Sequence, residues 1–176
     1  MTRSIRIFSL TAIFFMSFAL NQAVKAQNNR VSVESLSTHG TTGMTPECKA
    51  EATTFMSLAG RFPMTSNWHY VIICDEFTWK EFLRTHGQDQ PGVQVYGVTY
   101  LQSKLTFIRG WALTHVDLTS GAPTPERIVA HEIGHVILNT NDDGAADRLA
   151  TQWLKAANFP VYAIREAPAV VQPSAK

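Results

Sequence analysis

His131, Glu132, Ile133, Gly134 and His135 place two imidazoles and a carboxylate at the spacing that a hydrolytic zinc site needs on one helix. Residues four apart lie one turn apart on the same helical face, so both histidines can reach a single ion. Glu132 sits about 100° around the helix from His131, beside the ion rather than on it. From there it can take a proton from a zinc-bound water. The flanking residues predict the helix itself. Thr124 is its N-cap, Pro125 its first residue, and Glu126 complements the positive end of its dipole. Ile128, Val129, Ile133, Val136 and Ile137 supply its apolar face, and Asn139-Thr140-Asn141 reads as its stop. Gly134 costs about 1 kcal/mol against alanine inside a helix, so close approach of a neighbouring strand or ligand is expected there.

Two histidines leave a catalytic zinc one protein ligand short. No histidine follows His135 and both cysteines lie upstream, so the nearby candidates are Asp142, Asp143 and Asp147. They belong to a run that starts a second helix, continuing through Trp153 and Leu154 to Ala157. Asp143 and Asp147 are again four apart, on one face with Ala150 and Leu154. An acid in phase with an apolar stripe is costly to bury unless it binds something. Asp142 and Asp143 also read as ordinary caps at a helix start; Asp147 lies too far in for that.

These residues resemble the gluzincin group of zinc metallopeptidases, over roughly residues 105 to 157. The resemblance implies that an acid on the second helix joins the two histidines, and that another acid four residues later braces a histidine ligand. Carried onto this chain, Asp143 is the third ligand and Asp147 the partner of a zinc-bound imidazole. Two features depart from the pattern: an aspartate stands where a glutamate is usual, and the connection between the helices is short. A short turn makes an antiparallel helix pair, and matching depths across it sets Asp147 opposite His135. In that alternative Asp147 is the ligand and Asp143 the cap.

Other metal families fit less well. A metzincin would continue with a glycine and a third histidine, whereas Val136-Ile137-Leu138-Asn139 follows here. A deformylase would bring a cysteine ligand and a glycine-glutamine loop. No glycine-rich phosphate loop, nucleophile-elbow serine or paired cysteine motif is present.

Arg3 and Arg6 precede an apolar stretch from Ile7 to Leu20, followed by Val24-Lys25-Ala26. A positive flank, a short apolar core and a small exit residue predict a signal peptide over 1–26, hence a secreted or periplasmic protein with no stable membrane insertion after cleavage. The chain has 15 basic and 14 acidic residues; three of the basic ones lie in that segment, leaving 12 against 14, or about −2. Such a balance gives no reason to invoke nucleic acid or an anionic membrane. Cys48 lies on a helical stripe with Ala52, Phe55 and Ala59, and Cys74 ends the run Val71-Ile72-Ile73. In an oxidising compartment the two are expected to form a disulfide, worth about 2–4 kcal/mol.

The layout predicts an α+β fold, a compact zincin-like domain with a small mixed sheet packed against helices. A polar, flexible leader spans 27–44, the metallopeptidase domain 45–166, and a loose, proline-containing tail 167–176. Within the domain a helix runs to about Gly60, a strand covers Trp68 to Cys74, and a helix capped by Asp75 or Thr78 ends near Gly87. Strands over Val93–Tyr100 and Leu105–Arg109 precede the two site helices. Thr106-Phe107-Ile108-Arg109-Gly110 is the candidate strand edging a cleft, where an extended peptide could pair; the alternative is an inner strand. The expected activity is zinc-dependent hydrolysis of a peptide or protein substrate, with Glu132 as general base. His115, Arg109, Tyr100 and Tyr162 are the available oxyanion donors. The competing reading is a zincin-shaped protein that binds metal or a partner without cleaving anything.

Overall fold

The computed structural model describes residues 29–34, 44–115 and 121–159. The predicted signal peptide, the tail, Tyr162 and the remainder of the leader lie outside them. Among the described residues no helix is long and apolar enough to cross a membrane.

Four strands form one mixed sheet in the order β1-β2-β4-β3. They are β1 (Arg30–Glu34), β2 (His69–Ile73), β3 (Gly97–Tyr100) and β4 (Leu105–Arg109). β1, β2 and β4 run parallel, and β3 returns antiparallel along β4, with Thr99 opposite Thr106. Tyr70 to Ile73 are all buried, the continuous apolar run expected of an inner parallel strand covered on both faces.

Two sequence expectations change here. Part of the expected flexible leader is an ordered strand: Arg30–Glu34 pairs with β2, and Val31 and Val33 pack on the core. Its alternation is short and flanked by polar residues, which is why composition hid it. Of the two readings of β4 the inner strand holds, since it lies between β2 and β3; among the described strands the edge on that side is β3. The ladder of β3 also starts at Gly97 rather than Val93. Opposite residues 93–95 the chain has already left β4 at Gly110 and entered the short helix α3 (Trp111–Thr114).

The other helices are α1 (Pro46–Ala59), α2 (Glu76–Thr85), α4 (Pro125–Leu138) and α5 (Asp143–Ala156). Their starts are set by side chains that accept from first-turn amides: Thr45, Asp75, Thr124 and Asp142. One sheet face, with Tyr70, Ile72 and Ile108, packs in a core with Phe55 of α1, Leu113 of α3, Val129 and Ile133 of α4, and Leu154 of α5. The other face, with Val71 and Ile73, is covered by Trp79, Phe82 and Leu83 of α2.

Cys48 and Cys74 form the expected disulfide, with Cα atoms 5.3 Å apart, tying the first turn of α1 to the end of β2. Beside it lies Glu51, only 4 % exposed. Burial first, then the charges of Glu47 and Glu76, push its carboxyl up to about 7. Raised above its ordinary 4.5, it contributes stability that is fully present below pH 4.5 and is lost as pH rises through 7. The loss amounts to about 3 kcal/mol, at 1.36 kcal/mol per unit. Glu51→Gln should therefore flatten the stability profile between pH 5 and 8, read as urea midpoints across that range. A variant whose profile keeps the wild-type slope would assign the slope to other groups.

Candidate metal centre

α4 carries His131, Glu132 and His135, and α5 carries Asp143 and Asp147. The two helices pack tightly because both are small where they touch. A Cβ at Gly134 would lie 3.1 Å from the carbonyl oxygen of Ala146, so the close approach expected at this glycine is to a helix backbone. The connection spans residues 139–142. Asn139 takes a left-handed conformation, φ 50° and ψ 51°, and its N–H closes on the carbonyls of His135 and Val136. This tight reversal starts α5 directly beside the last turn of α4.

Three donor atoms converge in that corner. His131 Nε2 and His135 Nε2 are 3.0 Å apart, and Asp143 Oδ1 is 3.2 Å from the second and 3.7 Å from the first. A tetrahedral zinc with ligands at about 2.0–2.1 Å spaces them about 3.3 Å apart, so the triangle fits one face of its coordination shell. The opposite ring nitrogens are engaged. His135 Nδ1 is 2.8 Å from the carbonyl of Thr140, and His131 Nδ1 is 2.9 Å from Asp147 Oδ1. Both partners only accept, so each Nδ1 carries the proton and each Nε2 of a neutral ring presents a lone pair. Two lone pairs and a carboxylate oxygen aimed at one point call for a cation. A proton can stand in for it: burial disfavours the charged imidazoles, yet Asp143, Asp147 and the charge of Glu132 push His131 up to about 10. His135 is raised by Asp143 and Glu132 against the same burial. Asp143 is correspondingly held far below the usual carboxylate range by the two imidazoles.

The two aspartates thus take different places. Asp143 points its oxygen at both Nε2 atoms and is otherwise exposed. Asp147 lies behind His131, where the same Oδ1 also accepts from Arg127 at 3.0 Å. Arg127 is buried and reaches Thr151 Oγ1 with its other terminal nitrogen. The cap at the start of α5 is Asp142.

Glu132 is buried beside the triangle and is held from the sheet. Thr99 Oγ1 lies 2.7 Å from Glu132 Oε2 and 3.0 Å from Thr106 Oγ1, which in turn is 2.9 Å from Trp68 Nε1. An indole nitrogen only donates and a carboxylate only accepts, so the protons run one way: Trp68 to Thr106, Thr106 to Thr99, Thr99 to Glu132. Gly97 leaves the room, since a Cβ there would overlap the Glu132 carboxyl. Sequence reading missed Gly97, Thr99, Thr106 and Trp68 as site residues. The alternation of β3 and β4 was the available signal, because it puts Thr99 and Thr106 on one sheet face.

Comparison with family models, curated proteins and solved structures returns no match to this chain. The site therefore stands on its own geometry. That geometry redirects three of the four oxyanion candidates. Tyr100 and Arg109 alternate onto the α2 side of the sheet, where Tyr100 packs near Phe107 and His86, and Arg109 pairs with Glu76 at 2.6 Å. His115 is exposed and stacks on Trp111 at 4.7 Å. Among the described residues none of the three hydrogen-bonds to His131, Glu132, His135 or Asp143.

Proposed function

We propose that this chain is a secreted or periplasmic zinc-dependent metallopeptidase of zincin type. The carrying observation is the triangle of His131 Nε2, His135 Nε2 and Asp143 Oδ1, with both Nδ1 atoms occupied and a buried carboxylate alongside. Two imidazoles and one carboxylate are a donor set suited to zinc, and three protein ligands leave a position for water or substrate. Zinc bound there supplies Lewis acidity and lowers the pKa of a coordinated water.

The chain's own residues do the rest. Asp147, backed by Arg127, and the Thr140 carbonyl keep the two rings in the tautomer that exposes Nε2. Thr99 holds Glu132 Oε2, which leaves Oε1 to take the proton of the attacking water and deliver it to the leaving amine. β3 edges the sheet and carries Thr99, so an extended peptide pairing along its free backbone would run past Glu132. The disulfide suits an oxidising compartment.

The test begins with metal. Purified chain beginning near residue 27 should carry about one zinc by elemental mass spectrometry, and His135→Ala should lose it. The loaded protein should then cleave members of a mixed peptide library, and a chelator should stop it. Absence of zinc after reconstitution would end the reading; stoichiometric zinc without cleavage of any peptide would leave the non-catalytic metal-binding alternative.

A further inference from the structure

A second group of chemistry-bearing side chains sits away from the histidines, at the join of α1, β2 and α3. The sulfurs of Cys48 and Cys74 and a carboxylate oxygen of Glu51 lie within 4.8 Å of one another. Glu51 is almost wholly buried, and its Oε2 has no hydrogen-bond partner among the described residues. Gly110 makes the room for it: a Cβ there would overlap Oε2 and come within 3.0 Å of the Cys74 Cα. The arginine of the neighbouring strand, Arg109, is paired with Glu76 instead. The charges that act on Glu51 are Glu47 from its own helix and Glu76 from α2, and both favour its neutral form. A carboxyl buried against a disulfide, raised to titrate near neutral pH and without a partner for Oε2 among the described residues is placed to donate a proton there.

The disulfide is also asymmetric. Cys74 is part-exposed at the end of β2, whereas Cys48 is 2 % exposed in the first turn of α1, its N–H bound to the Thr45 cap. Of the two half-cystines, Cys74 is therefore the more open to an external thiolate. Cys48 then departs at a helix N-terminus, where developing negative charge is stabilised. Glu51 follows it by three residues, on the same helical face.

We propose that Cys48–Cys74 is an exchange-active disulfide, opened by a dithiol that attacks Cys74 Sγ while Glu51 protonates the departing Cys48 Sγ. The first step breaks the S–S bond and leaves a mixed disulfide on Cys74, a thiol on Cys48 and a carboxylate on Glu51, which solvent reprotonates. The second thiolate of the same molecule attacks its own mixed-disulfide sulfur and expels Cys74, which takes a proton from water. The dithiol is oxidised to a cyclic disulfide and the chain gains two electrons and two protons. This role does not depend on the zinc site.

The experiment uses the native, oxidised chain with dithiothreitol at pH 6, quenched by alkylation and followed by intact mass. At that pH glutamine matches the protonated glutamate in charge and nearly in shape, so a merely structural carboxyl predicts equal rates for wild type and Glu51→Gln. Proton donation predicts opening at least about tenfold slower in the variant, within the range of general acid catalysis. Equal rates overturn the proposal, as does a disulfide that opens only when urea unfolds the chain. Wild type alone gives a second reading: the rate per dithiothreitol thiolate should fall as pH rises from 6 to 8.5. A flat profile overturns it independently of how the variant folds.

Discussion

If the proposed function holds, Glu132→Ala should abolish peptide hydrolysis while about one zinc per chain stays bound. The carboxylate lies beside the donor triangle without belonging to it, so its loss leaves the three donor atoms and both Nδ1 contacts in place. What disappears is proton transfer, which general acid–base catalysis makes worth about 10²–10⁴ in rate. The contact from Thr99 allows a finer cut. Thr99→Val removes one hydrogen bond to a charged acceptor, about 1.5–3 kcal/mol, and should lower kcat about tenfold or more at unchanged zinc content. Thr99→Ser keeps the hydroxyl and should recover most of the loss. Steady-state rates with zinc stoichiometry measured on the same samples decide the matter. Full activity in Glu132→Ala would mean that another group moves the proton; equal losses in the valine and serine variants would mean that Thr99 only packs.

The two aspartates should separate just as clearly on zinc affinity. Structural zinc sites bind with about 10–16 kcal/mol shared over four ligands, so one ligand carries about 3 kcal/mol, on the order of a hundredfold or more. Asp143→Ala should therefore weaken binding by at least about a hundredfold. Asp147→Asn loses only the charge behind His131 and should cost about tenfold, within the range found for groups that orient a ligand. Competition titration against a chromophoric chelator measures both. The reverse order would make Asp147 the ligand. In either case Asp147→Asn also removes the ion pair that Asp147 makes with the buried Arg127, and a lower urea midpoint should accompany it.

Much of this was legible in the residues themselves, because helix signals are local. Thr124, Pro125 and Asn139 mark the ends of α4, and the four-residue spacing of its histidines puts them on one face. The different placements of Asp143 and Asp147 were not legible. They turn on how far α5 is displaced along α4, and that depends on the left-handed Asn139 and on Gly134, where a Cβ would lie 3.1 Å from the Ala146 carbonyl oxygen. Strand order was hidden for a different reason. Whether β4 lies inside or at the edge depends on which strands flank it, β2 on one side and β3 on the other. Thr99, Thr106 and Trp68 escaped because their bonds join residues 7, 33 and 38 positions apart, and no periodicity reports such contacts.

Every donor of the triangle, and both groups that orient the rings, come from one helical hairpin between His131 and Asp147. The carboxylate that would do the proton chemistry also rides on that hairpin, but it is fastened by a sheet whose strands are assembled from distant parts of the chain. Contacts close in sequence form early and cheaply, whereas parallel pairing across long loops forms late. Metal capture and catalysis, as proposed, would therefore belong to different stages of folding. On the proposed function, the hairpin would hold its ion while the sheet is still open, and a nascent or partly unfolded chain in that state would bind metal without being able to cut anything.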